Sequence, residues 1–84
     1  MTNPVRDFIE IEIPATQFSE KIRQQLDNLE GTFTLFDQTG GVKVKEKIYS
    51  NKHRSDATGL QGGMYLIEVK LVDKRIIEKI VVIK

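Results

Sequence analysis

The chain has no cysteine and no tryptophan, two prolines, one histidine and, with 13 Lys+Arg against 12 Asp+Glu, no surplus of either charge. Each shortage excludes something. Without thiols there is no disulfide staple, thiolate metal site or cysteine nucleophile. The compartment stays open, because an oxidising space permits disulfides without requiring them. His53 alone rules out a histidine-rich metal site, and the carboxylates are too scattered along the chain for a carboxylate-only one. A formal charge of +1 argues against an acidic disordered tail and against a duplex-nucleic-acid binder that lives on counterion release. No apolar run approaches the ~18 residues of a membrane span, and the N-terminus lacks the basic stretch and apolar run of a signal peptide. The chain is therefore not expected to span a membrane or to export itself. It is either cytosolic or a piece of a longer exported protein.

What is present suffices for one small core. Eighty-four residues, 39% apolar and 30% charged, exclude a large multidomain enzyme and leave a marginal domain that depends on a well-formed sheet. Val5, Ile9, Ile11 and Ile13 share one parity and Glu10 and Glu12 the other, predicting a half-buried strand over residues 5–13 that Pro14 stops. From Thr16 to Leu29 the period changes: Phe18, Ile22, Leu26 and Leu29 recur at helical spacing. This predicts an amphipathic helix with Thr16 or Ser19 as cap and Gly31 beyond its end, a charged edge strand being the alternative.

Thr32–Phe36 is β-branched and aromatic, and Asp37-Gln38-Thr39-Gly40-Gly41 supplies a turn into a second hairpin arm. In that arm Val42, Val44, Glu46 and Ile48 share one face, and Lys43, Lys45, Lys47 and Tyr49 the other. A polar segment with a bend at Ser50-Asn51 runs to Thr58. Gly59–Gly63 break the chain, and Met64–Val72 forms a strand with Tyr65, Ile67, Val69 and Leu71 inward. Asp73-Lys74 reads as a tight turn. Ile76–Ile83 is apolar on both parities, as suits a strand covered on both sides or central in a sandwich. Six or seven short strands, with room for one short helix near residues 16–29, predict an all-β, immunoglobulin-like antiparallel sandwich.

No catalytic constellation emerges. Ser50 or Ser55 with His53 and Asp56 has the cast of a hydrolytic triad, but it is confined to seven positions of one polar segment, where three side chains and an oxyanion hole do not converge. Gly59-Leu60-Gln61-Gly62-Gly63 lacks the Lys-Ser/Thr of a phosphate loop and leads into a strand, so it reads as turn geometry. The Lys43, Lys45, Lys47 stripe reads as a solvated outer sheet face, with binding to an anionic surface the minority reading. The residues thus describe a binding or structural module, with no enzyme, cofactor, metal or nucleic-acid role expected.

As an ordered set, four segments resemble the type A C-terminal sorting domain of proteins exported by the type IX secretion system of Bacteroidetes. Asn3-Pro4-Val5 through Ile11 is similar to the family's Asn-Pro entry into its first strand. Phe33–Val42 resembles its strand and Asp-x-x-Gly turn, and Leu60–Val69 its Leu-x-x-Gly-x-Tyr segment. Lys74–Lys84 resembles its terminal Lys-bearing hydrophobic arm. Thr16–Leu29 is longer than the usual connection, and Gly41 stands where a longer polar residue is common.

The resemblance implies that residues 1–84 are a single sorting domain, a fragment of a larger exported protein. It implies an N-terminal cargo in the same precursor, passage through the periplasm, and delivery to the cell surface or beyond. The implied partners are a type IX translocon, an outer-membrane shuttle protein and a sortase-type peptidase that removes the domain and joins the cargo to an anionic lipopolysaccharide. On this reading Lys74, Lys79, Ile80, Val81, Val82, Ile83 and Lys84 form the recognised end, read by β-augmentation. Asn3, Pro4, Asp37, Gly40, Leu60, Gly63 and Tyr65 are then motif and scaffold. The alternative is an adhesion or carbohydrate-binding accessory module retained on the mature surface protein.

Overall fold

The computed structural model describes residues 2–71 and 74–84. Seven strands form two sheets: β1 (Thr2–Val5), β2 (Phe8–Glu12), β3 (Gly31–Phe36), β4 (Val42–Ile48), β5 (Lys52–Asp56), β6 (Gly63–Leu71) and β7 (Lys74–Val82). The larger sheet has the order β1-β7-β6-β3-β4, and β2 and β5 make a two-stranded sheet against it. All pairs are antiparallel except β1 with β7, which run parallel, Asn3 opposite Ile80 and Pro4 opposite Val81. A proline is tolerated in β1 because that strand is an edge, where a missing N–H breaks no ladder.

The core lies between the sheets. Ile9 and Ile13 from the smaller sheet and its exit meet Phe33, Leu35, Ile48, Tyr65, Ile67, Val69, Ile80 and Val82 from the larger. The alternation of β6 holds as expected: Tyr65, Ile67, Val69 and Leu71 are buried, and Leu66 and Lys70 face outward. Gly31 opens β3 where two strands crowd it, since a Cβ there would collide with the Lys70 carbonyl and the Leu71 side chain. Glycine is required at that point by close approach.

Several expectations need correction. Residues 5–13 are not one strand: the chain turns at Arg6-Asp7, leaving β1 on the larger sheet and carrying β2 across to the smaller. Val5 keeps its inward parity, so the alternation survives a change of sheet that the pattern does not reveal. The helix over residues 16–29 is also broken. A 3₁₀ turn at Ala15–Gln17, the single α-helical turn α1 (Glu20–Arg23) and a second 3₁₀ turn at Leu26–Asn28 replace it. Ser19, not Thr16, is the cap, its Oγ accepting the Ile22 amide at 3.4 Å. Phe18 and Leu29 are nonetheless buried, with Ile22 and Leu26 packed beside them. The Leu29 amide donates to the Tyr49 carbonyl at 2.9 Å, which ties the segment to the end of β4.

Val42, assigned to the inner face, is exposed because a register shift at Leu35/Phe36 carries the strand end out of the core. The polar segment after the Ser50-Asn51 bend contains β5, paired to β2 along its length. Finally, β7 is covered on one face only: Ile80 and Val82 are buried and Ile76 half-buried, whereas Ile77 is 52% exposed. Lys74 already belongs to β7. Val72 as the end of β6, and Asp73 of the expected tight turn, lie outside the described residues.

Candidate recognition surface

β7 follows β6 and sits against it over its whole length, Leu71 opposite Lys74 through Gly63 opposite Val82. On its other side β1 covers only Lys79 to Val82. The backbone edge of Lys74–Glu78 therefore has no neighbouring strand among the described residues, while that of Lys79–Val82 is paired on both sides. A cleft of about 380 Å³ opens beside the uncovered half, between β7 and β2, with Ile11, Ile13, Ile67, Val69, Ile76 and Glu78 in its wall. Two strand edges and a cleft of mixed lining, aliphatic side chains beside the carboxylates of Glu10, Glu12 and Glu78, thus meet at one flank of the sandwich.

The residues of the recognised end have distinct surroundings. Lys74 is half-buried, with Nζ 5.6 Å from the centre of the Phe18 ring. Lys79 points outward into solvent, Val81 is half-buried on the same outer face, and Ile80 and Val82 are core. Ile83 leaves the sheet, its amide donating to the Val5 carbonyl at 2.7 Å. Lys84 is not a loose end. Its ammonium donates to the carbonyls of Ala57 and Thr58 at 3.1 Å each and to that of Arg6 at 3.5 Å, pinning the terminus to two other segments.

The scaffold residues fall into turns and rims. Asp37 ends β3, and its Oδ1 accepts the Thr39 amide and hydroxyl at 2.9 and 2.6 Å and the Gly41 amide at 2.9 Å. The Thr39 hydroxyl, then the Gly41 amide, hold its carboxyl below the usual aspartate range. Gly40 follows at φ +88°, a left-handed conformation that costs glycine nothing. Leu60 packs half-buried on the core, Gly63 opens β6 at φ +149°, and the Tyr65 hydroxyl donates to the Gln61 carbonyl at 2.7 Å. Asn3 and Pro4 are placed by their backbone register in β1.

Two features escaped sequence reasoning. Asp56-Ala57-Thr58-Gly59 repeats the Asp-x-Thr-Gly pattern of residues 37–40, and Asp56 Oδ1 accepts the Thr58 amide and hydroxyl at 2.8 and 2.7 Å. The repeated tetrapeptide was the available signal. The second is a link between the sheets: His53 Nε2 lies 3.0 Å from Glu46 Oε1, and the imidazole sits 4.9 Å from the Phe33 ring. His53 is the main cause that lowers the Glu46 pKa, with the Ser55 hydroxyl a lesser one. This also dissolves the triad, because the Ser50 hydroxyl instead donates to the Lys52 carbonyl and Asp56 is engaged by Thr58. Among the described residues no group of three or more His, Asp or Glu side chains could hold a metal ion.

A parallel edge strand, an Asp-x-Thr-Gly hairpin, a Leu-x-x-Gly-x-Tyr entry into β6 and a pinned terminal strand span the whole chain in that order. The model of one family, the secretion system C-terminal sorting domain, matches residues 3–84. The chain belongs to that family. No curated protein and no solved structure matches it. The sorting domain is a C-terminal secretion signal for type IX export, a tail of the non-catalytic kind, and it marks its protein for the cell surface or extracellular space. It implies a cargo protein with an N-terminal region, and the type IX machinery. Among the described residues no helix is long and apolar enough to cross a membrane.

Proposed function

We propose that residues 1–84 act as one sorting unit of a larger exported precursor, and that β7 with its C-terminal extension is what the type IX machinery reads. The observation that supports this most directly is the uncovered edge of Lys74–Glu78 beside the cleft. An extended segment of the translocon or the outer-membrane shuttle pairs with that edge by β-augmentation. Backbone hydrogen bonds then supply affinity, and the cleft, with its aliphatic and acidic lining, selects alternate side chains. Lys79 to Val82 lie behind β1, so their backbone becomes available only when β1 is displaced, whereas the Lys74–Glu78 half needs no such opening. Lys84, by holding Arg6, Ala57 and Thr58, keeps the terminal arm in place. The domain is then removed by a sortase-type peptidase, and the cargo is joined to lipopolysaccharide. The sorting domain contributes no catalytic group to that step.

The test is a reporter carrying an N-terminal export signal, a linker and residues 1–84, assayed for surface delivery in a competent bacterium. Deleting Ile80–Lys84 abolishes delivery, but it also removes core residues, so an edge variant is needed beside it. Successive N–H groups along a strand point to opposite sides, so of Ile77→Pro and Glu78→Pro one loses a group facing the open edge and leaves the β6 ladder intact. The variant that retains the parental melting temperature is expected to lose surface delivery. Unchanged delivery by that variant would refute edge pairing, and unchanged delivery by the deletion would refute terminal recognition. Intact mass of the delivered reporter reports the cleavage: a product that retains the domain would make it a resident accessory module.

A further inference from the structure

The outer face of the five-stranded sheet is far more basic than the chain as a whole. The register places Lys45 and Lys47 of β4, Lys70 of β6, and Arg75 and Lys79 of β7 on that side. The one strand carboxylate among them is Glu68, which Arg75 engages at 2.8 Å and Lys70 at 3.9 Å. Five of the 13 cations and one of the 12 acids thus lie on one face, a local charge of +4, and the remaining eight cations and eleven acids leave −3 for everything else. A near-neutral total conceals a strong polarity. Among the described residues Lys45, Lys47 and Lys79 have no carboxylate within ion-pair distance.

Apolar side chains lie between these cations. Met64, Leu66 and Ile77 point outward and are 43%, 38% and 52% exposed. The array is flat, since outward side chains of one sheet end near a common level, and four strands at about 4.8 Å spacing spread it over some width. Tyr49, just beyond the end of β4 and 57% exposed, is the one strongly exposed aromatic that continues the lysine parity of this face, so single-stranded nucleic acid finds a single stacking platform at one corner and none across β3, β6 and β7. A planar anion with an apolar layer beneath its charges fits better. Lysine stems lie along apolar surface while their heads reach phosphates, and Leu66 and Ile77 meet the acyl boundary. The acids on the far side do not cancel this attraction: the molecule is about 20 Å thick, and at physiological salt charges are screened beyond ~8 Å.

We infer that the outer face of the β1-β7-β6-β3-β4 sheet is a docking surface for anionic phospholipid bilayers, through which the domain lies flat on a membrane. The uncovered edge of β7 borders this face and does not take part, so edge recognition and lipid docking are separable.

The test is co-sedimentation of the 84-residue chain with large unilamellar vesicles of phosphatidylcholine alone, or containing about 30 mol% phosphatidylglycerol, at about 50 and about 300 mM NaCl. Binding is expected only to the anionic vesicles and should weaken at least tenfold at the higher salt. The variant K45E/K47E/K79E should lose at least tenfold in affinity. The variant K21E/R23E/K52E, with the same change in net charge on other surfaces, should stay within about twofold. Matching melting temperatures establish that both variants fold. Equal binding to neutral vesicles, equal loss in the two variants, or no binding at low salt would overturn the inference. So would tighter binding to a single-stranded oligonucleotide than to the anionic vesicles under the same conditions.

Discussion

The two Asp-x-Thr-Gly turns begin identically and end differently. In each, an aspartate at a strand end folds its carboxylate onto the amide and hydroxyl of the threonine two residues on, within 2.6–2.9 Å. In the first, Gly40 turns left-handed, Gly41 donates back to the Asp37 carboxylate, and the Asp37 amide donates to the Gly41 carbonyl at 2.9 Å. The chain returns along its own sheet as β4. In the second, Gly59 does not take a positive φ, the Leu60 amide donates to the Ala57 carbonyl at 3.1 Å, and Leu60 packs on the core. The chain crosses from the small sheet to the large one. Ala57 is fully buried and its amide donates to the Asp7 carbonyl at 2.8 Å, while Lys84 closes over the turn from the other end of the chain. One turn is made by its own residues and the other is stapled by distant segments. The side-chain pattern sets the first half of a turn, and whatever waits in space sets the second.

The sharpest way to break the comparison is at the second position. Ala57→Leu forces three extra carbons into a site with no free surface and is expected to cost about 1–3 kcal/mol, whereas Gln38→Leu, at the exposed counterpart, should stay within about 0.5 kcal/mol. Denaturant midpoints of the two variants measure this directly. Equal costs would mean that the second turn is no better anchored than the first.

The glycines should differ in sign. A Cβ at either Gly40 or Gly59 meets nothing within 4 Å, so only the backbone decides. Gly40→Ala must hold φ near +88° and should lose about 1–2 kcal/mol. Gly59→Ala restricts the unfolded chain without strain and should gain about 0.4–1 kcal/mol. Opposite shifts in melting temperature are the expected result.

These contrasts mark how far the fold was legible in advance. The alternation of β6, the hairpin at Asp37 and the lysine face of β4 are local patterns that tertiary contacts reinforce, and they appear as expected. The break at Arg6-Asp7 was not readable, because it is set by the parallel pairing of β1 with β7 and by the Ala57 amide reaching Asp7, contacts more than 45 residues apart. The helix failed for a related reason. Phe18, Ile22, Leu26 and Leu29 do turn toward the core, but a helix of that length is marginal by itself. Burying Phe18 and Leu29 at opposite ends of the segment, with Leu29 bonded to Tyr49, is met by three short turns. For the recognition surface, the terminal strand was visible as an apolar run. Which half of it has an open edge depends on where β1 stops, and no local pattern carries that.

Removing the staple should affect one turn only. Lys84→Met keeps the stem and deletes the ammonium that holds Arg6, Ala57 and Thr58. A loss of about 0.5–1.5 kcal/mol is expected. Amide hydrogen exchange should quicken at Ala57 and Leu60 and stay unchanged at Thr39 to Gly41.

The smallest effect is electrostatic and tests whether the turns are independent. Both carboxyls are held below the ordinary aspartate value of 3.8, Asp37 chiefly by the Thr39 hydroxyl and Asp56 chiefly by the Thr58 amide. A lowered folded pKa means that the folded state prefers the ionised form. Each turn therefore contributes its full stability above about pH 4 and loses it as pH falls below 3.8 through the lowered value, with the same sign in both. Lys43 is the weakest of the causes at Asp37 and Lys84 the weakest at Asp56. Carboxyl titrations followed by NMR should show Lys84→Met raising the Asp56 midpoint slightly while Asp37 stays put, and Lys43→Met doing the reverse. If either substitution moved both midpoints, the two carboxylates would share one electrostatic environment. The contrast between a self-made turn and a stapled one would then rest on packing alone.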